Sequence, residues 1–200
     1  MRIHDDCVES KYFNALRTKV FNFRFMPWFF NQFTAYTEKS TDTFDNSFNH
    51  IAVRNYKDVS MMAPYARMCI SQAFFKLEEP VPEIIRVRFG LILNASHNKI
   101  HGPHVDSHKP HQTGLLYLND SDGDTYFYDN YYDPSLDEGL SQFDYYKKFV
   151  KDNLKEKQSV TPKANRLALF DGYQYHASSS PVNTQFRIVM NFNYTYDKSP

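Results

Sequence analysis

His104-Val105-Asp106, with His176 seventy residues beyond the aspartate, has the strongest claim to chemistry in this sequence of 200 residues. On an extended strand, residues two apart point to the same face. His104 and Asp106 can therefore offer an imidazole nitrogen and a carboxylate oxygen to one point in space. An imidazole from a remote strand, His176, would complete two histidines and one carboxylate on one side of a metal. That set leaves other coordination positions open, as a ferrous ion needs if it is to bind a co-substrate and dioxygen.

The short motif is weak by itself. With 8 His and 16 Asp in the chain one such pair is unsurprising, and a second, His4-Asp5-Asp6, lies in a terminal segment without strand context. No metal role is expected there. For His104 and Asp106 the competing reading is a polar turn in a histidine-rich loop. His97, His101, His108 and His111 crowd the same stretch, as surface residues or substrate contacts.

Arg187, eleven residues after His176, adds weight. From Gln185 to Tyr194 the alternation puts Phe186, Ile188, Met190, Phe192 and Tyr194 on one apolar face. Arg187, Val189, Asn191 and Asn193 take the other. A guanidinium grips a carboxylate in a planar, two-pronged fashion that lysine cannot copy. A barrel strand with a polar lining and an Arg near one end is a reasonable carboxylate receptor. An exposed arginine on an edge strand is the plainer alternative.

The elements that must hold these residues are mostly strands. Ile84–Leu93 is a nearly unbroken apolar run, interrupted by Arg86 and Arg88. Thr113–Leu118 and Thr125–Tyr128 flank a polar segment from Asn119 to Asp124 that reads as a hairpin turn. Arg166–Phe170 and Gln185–Tyr194 supply two more strands. Upstream, Met61 to Leu77 places Met62, Ala66, Cys69, Ala73 and Leu77 on one helical face, with Ser60 as its cap and Pro80 and Pro82 beyond its end. Leu136, Leu140, Phe143, Val150 and Leu154 have helical spacing in an insertion over 134–157. The expected fold is mainly β with packing helices, an antiparallel sandwich or barrel in one domain spanning 1–200. Strands and a supporting helix fill 1–83, and the β core covers 84–194.

Composition narrows the function classes. Lys and Arg number 23 and so do Asp and Glu, giving zero net charge. A partner such as a nucleic-acid backbone or an anionic membrane calls for a basic excess, so neither is expected. Cys7 and Cys69 are far apart and form no CxxC, which argues against a disulfide scaffold or a thiolate zinc site. The opening MRIHDDCVES has acids and no apolar run, unlike a signal peptide, and no stretch reaches the apolar length of a membrane span. A cytoplasmic location is expected.

With these residues assembled, the stretch from Ile84 to Tyr194 resembles the double-stranded β-helix (jelly-roll, cupin-like) of the 2-oxoglutarate- and iron(II)-dependent oxygenases. It is nearest the prolyl-4-hydroxylase-like branch. The pieces that carry the resemblance are His104-Val105-Asp106, Leu116-Tyr117-Leu118-Asn119, Gly123-Asp124-Thr125-Tyr126-Phe127, Arg166 to Gly172, His176 and Arg187. Met26-Pro27-Trp28-Phe29-Phe30, with the helix after it, is similar to small members of this branch from marine phages and bacteria. The resemblance implies that His104, Asp106 and His176 ligate iron(II). It also implies that Arg187 and Tyr117 bind the distal carboxylate of 2-oxoglutarate. The implied reaction couples oxidative decarboxylation of 2-oxoglutarate by dioxygen, giving succinate and carbon dioxide, to hydroxylation of a substrate C–H bond, with ascorbate as an accessory reductant. The implied substrate is a prolyl residue of a peptide or protein. The alternatives are a free amino acid or other small molecule, or a binding module for a metabolite or sugar on the same fold. Tyr126, Tyr128, Tyr131 and Tyr132 would line the pocket mouth or pack on a β surface, and the insertion would be a lid or outer packing.

The sequence departs from the family's pattern at Asp124, where a second glycine is frequent, and at Val189, where a small polar residue is frequent. Asn193 stands where the nucleic-acid demethylases of the superfamily carry a second Arg, which argues against that branch. Asp120, Asp122 and Asp124 do not make a calcium loop, because no glycine follows Asp124 and the twelfth position is Tyr131. A His-Glu-x-x-His zinc signature is missing.

Overall fold

The computed structural model describes residues 1–35 and 46–196. Their elements run, in chain order, β1 (Arg2–His4), α1 (Ser10–Val20), β2 (Phe29–Asn31), β3 (Ser47–Arg54), β4 (Lys57–Asp58), α2 (Ala63–Lys76), β5 (Glu83–Leu93), β6 (Gln112–Tyr117), β7 (Thr125–Tyr131), α3 (Gln142–Tyr145), β8 (Glu156–Val160), β9 (Leu167–Asp171), β10 (Gln174–Ser178) and β11 (Phe186–Thr195). The larger sheet has the order β1-β9-β6-β11-β5-β3-β2, with β4 added on β3. The smaller has the order β10-β7-β8. Every pairing is antiparallel.

Period-2 alternation divides the larger sheet into an outer apolar face and an inner face. Leu116, Leu167, Leu169, Ile188, Met190, Phe192 and Tyr194 join one core with Leu16 and Val20 of α1 and Ala66, Cys69, Ile70 and Phe74 of α2. Their neighbours Leu115, Tyr117, Ala168, Phe170 and Val189 turn the other way and meet Phe127 and Val160 of the smaller sheet. The two sheets therefore face each other. The polar residues of β11 belong to this inner face, as its alternation indicates.

α2 starts two residues later than its apolar spacing suggests. Ser60 Oγ accepts the Met62 amide at 3.1 Å, which satisfies one of the donors left unpaired at a helix start. His50 holds that same hydroxyl at 2.5 Å, so the cap is tied to β3.

Three expectations change. The segment Asn119 to Asp124 is not a hairpin turn, because β6 lies in the larger sheet and β7 in the smaller one. It crosses between the sheets and is pinned by Asp122, whose carboxylate accepts the amides of Val182, Asn183 and Thr184. No strand forms around His104, which makes only an isolated bridge to His176. The insertion is not one amphipathic helix. It consists of α3, a wider five-residue turn Tyr146–Val150, two short tight turns and then β8. Leu136 is exposed, and Tyr145 and Val150 are the side chains that reach the core. In Glu156–Val160 only Val160 is buried, so the sequence shows no strand alternation there.

Gly114 on β6 sits opposite Phe192 on β11, and a Cβ at this glycine would lie inside the Phe192 ring. That ring is buried in the outer core and has no room to retreat. Gly114→Ala is expected to cost about 1–3 kcal/mol of stability through overpacking. The check is urea unfolding, with part of the loss recovered in the double variant with Phe192→Leu.

Candidate functional site

The site is assembled by one pair of backbone hydrogen bonds. His104 N donates to His176 O at 2.9 Å and His176 N donates to His104 O at 3.0 Å. This narrow pairing brings the imidazoles side by side, with ring centroids 4.7 Å apart. Val105 points the opposite way, into a cluster with Tyr128, Tyr132, Tyr145, Val150, Tyr175 and Ala177. The alternation expected of a strand is thus kept without a strand. Asp106 returns to the His104 side, and one ligand atom from each of His104, Asp106 and His176 lies within 4.8 Å of the others.

Each member is fixed from behind. His104 Nδ1 lies 3.0 Å from Gly102 O, and His176 Nδ1 lies 3.1 Å from Gln174 O. A carbonyl can only accept, so both rings carry their proton on Nδ1, which makes each Nε2 a lone-pair donor. Asp106 is 3% exposed at its side chain. Its Oδ1 accepts Arg86 Nη2 at 2.8 Å, and its Oδ2 accepts Asn191 Nδ2 at 3.0 Å and Asn193 Nδ2 at 2.9 Å. Burial works against its ionisation, but Arg86 and the two imidazoles hold the carboxyl well below the usual range. Burial, with the neighbouring His176 ring adding to it, pushes His104 down to about 3, and burial lowers His176 too. At neutral pH the group is one carboxylate and two neutral imidazoles. These protonation states suit a divalent metal, with outer partners orienting each ligand.

The imidazoles line a cavity between the sheets. Arg187 and Thr125 are at one end, Leu115, Val189 and Ile92 form apolar walls, and Arg88 and Asn191 face in beside the imidazoles. Arg187 is buried at 3% exposure, and its Nη2 donates to Thr125 Oγ1 at 2.7 Å. The Tyr117 hydroxyl donates to the same oxygen at 2.8 Å, and the Arg187 guanidinium lies 5.6 Å from the Tyr117 ring centroid. Thr125, rather than Tyr117, therefore presents the hydroxyl to the cavity. Burial lowers the Arg187 pKa and raises that of Tyr117. Asp106 lines a second cavity instead, bounded by Arg54, Arg86, Lys109, His111 and Asn193.

The other histidines of the crowded loop take no part in the cluster. His101 is buried with Nε2 2.9 Å from Ser180 Oγ, and His111 is buried with Nδ1 2.8 Å from Lys109 O. His108 stacks on Tyr132 at 4.1 Å, while His97 is exposed. The second His-x-Asp pair, His4 and Asp6, is not part of the cluster, and Asp5 between them binds Arg166 at 2.7 Å. Tyr128 and Tyr132 pack in the cluster outside the site, and Tyr131 is exposed. Sequence reasoning missed Arg86, Arg88 and Thr125 as site residues. The first two were visible as charges two apart in an apolar strand, which places both on one face.

No protein-family model matches the sequence, and no curated protein is similar to it in sequence. Solved structures do share its fold. A 2OG-Fe(II) oxygenase family oxidoreductase from Burkholderia pseudomallei aligns with a TM-score of 0.58 at 9% identity, over 93% of this chain and 78% of that one. A prolyl hydroxylase from Trichoplax adhaerens, in complex with a hypoxia inducible factor peptide fragment, aligns with a TM-score of 0.57 at 12% identity, over 98% and 83%. HygX from Streptomyces hygroscopicus, with nickel and 2-oxoglutarate bound, aligns with a TM-score of 0.54 at 10% identity, over 96% and 81%. The chain has the double-stranded β-helix fold of these enzymes.

The depressed imidazoles set a pH dependence for the metal-free protein. In the unfolded chain His104 takes up its proton near pH 6.5, whereas in the folded protein it stays neutral down to about 3. Stability is therefore full above pH 6.5 and falls as the pH drops through this window, by up to about 1.4 kcal/mol per pH unit for each such imidazole. His104→Asn is expected to flatten that slope between pH 6.5 and 4 in chemical unfolding. An unchanged slope would show that His104 is not held neutral.

Proposed function

We propose that this protein is an iron(II)- and 2-oxoglutarate-dependent dioxygenase that hydroxylates a C–H bond, with a prolyl residue of a peptide or protein as its target. The observation that carries the reading is the convergence of one ligand atom from each of His104, Asp106 and His176, with both imidazoles lining the cavity that the buried Arg187 also lines. Two neutral imidazoles and one carboxylate are a donor set for non-haem iron(II). Bound iron would supply the activation of dioxygen and the oxidation of the substrate.

The chain's own residues supply binding and orientation. Arg187 offers a planar pair of donors to the distal carboxylate of 2-oxoglutarate, with the Thr125 hydroxyl beside it. Its low-exposure setting makes that ion pair stronger than it would be in water. Leu115, Val189 and Ile92 keep water from the aliphatic part of the co-substrate. Arg86, Asn191 and Asn193 keep Asp106 ionised and fix its orientation, while the carbonyls of Gly102 and Gln174 keep both imidazole lone pairs turned inward. The fold's occurrence in a peptide-bound prolyl hydroxylase favours a peptide target, by analogy of fold. Two buried free thiols and zero net charge suit a soluble enzyme of the cytoplasm.

Anaerobic titration of the protein with iron(II) and then 2-oxoglutarate tests this reading, with the visible charge-transfer band of the chelated complex as the readout. The wild type should develop the band. Asp106→Ala should lose it with its iron, and Arg187→Ala should weaken 2-oxoglutarate at least ~30-fold, as expected when one partner of a buried charge pair is removed. Absence of both band and bound iron in the wild type would leave a metabolite- or sugar-binding module as the better description.

A further inference from the structure

Arg88 is a cavity cation that no described residue answers. It lies on β5 between β3 and β11, opposite Ile51 and Asn191. It faces the cavity beside His104 and His176. Its Nε is closed to solvent and has no hydrogen-bond partner, and the side chain makes no ion pair among the described residues. The charges that act on it are Arg86, Arg187 and Asp106. Both oxygens of Asp106 are already held by Arg86, Asn191 and Asn193. Burial, with Arg86 adding to it, lowers Arg88 to about 10, so it remains charged at neutral pH. Arg88 is half-buried, with Nε shut off while the outer nitrogens are not, so the paired donors of its guanidinium are left for a carboxylate entering the cavity.

The co-substrate does not remove the surplus. Four arginines (Arg54, Arg86, Arg88 and Arg187), Lys109 and one carboxylate (Asp106) border the two cavities. A divalent metal and a dicarboxylate cancel each other, which leaves the excess of positive charge as it was. Asp124, which acts electrostatically on Arg187, lines neither cavity and does not act on Arg88. The strand register also separates the two arginines. Arg187 is level with Ile92 and Arg88 with Asn191, four residues along, or about 13 Å of strand. Arg88 thus belongs to the end nearer Asp106. The cavity beyond Asp106 is bordered by Arg54 and Lys109, neither of which has a carboxylate partner among the described residues. On a chain of zero net charge this is a local positive field around Asp106, of the kind that draws in anions.

We propose that Arg88 is the receptor for a carboxylate on the substrate itself, so that the enzyme acts on an acidic molecule. The carboxylate belongs to a peptide residue near the target C–H bond or to a free carboxylic acid. This inference rests on the oxygenase reading. Arg88 is a specificity-determining residue, and its paired donors set the distance and direction of the target carbon from the metal site.

The test uses the full chain loaded with manganese(II) and saturating 2-oxoglutarate under anaerobic conditions, with calorimetry as the readout. In one arm N-acetyl-proline is compared with N-acetyl-prolinamide. In the other, capped peptides containing Pro-Glu are compared with the same peptides containing Pro-Gln. The carboxylate member of at least one arm should bind about tenfold more tightly or better, the scale of a hydrogen-bonded charge pair. Arg88→Gln should abolish that preference, and Arg88→Lys should restore part of it. Equal binding of carboxylate and amide in both arms overturns the proposal, as does a preference that survives Arg88→Gln. Loss of 2-oxoglutarate binding in Arg88→Gln would assign this arginine to the co-substrate and overturn it too. Failure of the wild type to bind 2-oxoglutarate, read before any probe is added, would instead remove the oxygenase reading beneath it.

Discussion

The structure depends on keeping one carboxylate ionised away from water. Asp106 is nearly closed to solvent, and its charge survives because Arg86 from β5 and Asn191 and Asn193 from β11 all donate to it. These two strands form the longest pairing in the molecule, and their register puts Arg86 level with Asn193 and Arg88 level with Asn191. A one-residue slip would turn the asparagines into the outer core and bring Phe192 to the carboxylate. The sheet register and the ionisation state of Asp106 are therefore one constraint. The aromatic packing of Phe192 and Tyr194 against Phe74 on the outer face enforces it from the other side.

Much of this was legible before the fold was known. The alternation in Gln185–Tyr194 specified which face of β11 is polar, because side-chain period on a strand depends only on the backbone. The spacing of His104 and Asp106 held for a related reason, although no strand contains them. A single bridge to His176 imposes the same alternation over three residues. Whether His176 would reach them could not be read locally, because its position follows from long-range pairing of β10 with β7. The hairpin expected over 119–124 failed for the same reason. Polar turn residues mark a reversal of the chain but not which sheet receives it.

The insertion shows a different limit. Apolar residues at helical spacing suggested one helix over 134–157, yet the buried side chains are Tyr145 and Val150 within short turns. Pro134 and Gly139 interrupt the segment near its start, and Tyr145 is held by hydrogen bonds to the backbone of Asp133. Tertiary anchoring by aromatic rings with polar tips replaced helical periodicity as the organising force. The lid and outer-packing readings are separated by what the insertion touches. It covers the far side of the loop that carries Val105, and it does not line the cavity of Arg187.

That location gives the insertion a mechanical role. Residues 101–111 belong to no strand, and besides the bridge at His104 their backbone bonds to other elements among the described residues lie at the ends of the segment, at His101 and His111, so backbone pairing alone does not hold Asp106 in place. Support comes from outside: Gln142 Nε2 donates to Val105 O at 3.2 Å, and Asp137 receives both the Tyr132 hydroxyl and His108 Nδ1. His108 in turn stacks on Tyr132, which packs against Tyr145 and Tyr173. Side chains on a loop that converge on one point must be held by their surroundings to within a fraction of an ångström. Here polar contacts to Asp106 provide that support from within the barrel and an aromatic stack provides it from without. The loop is thus clamped between two layers, and the convergence of His104 and Asp106 depends on both of them.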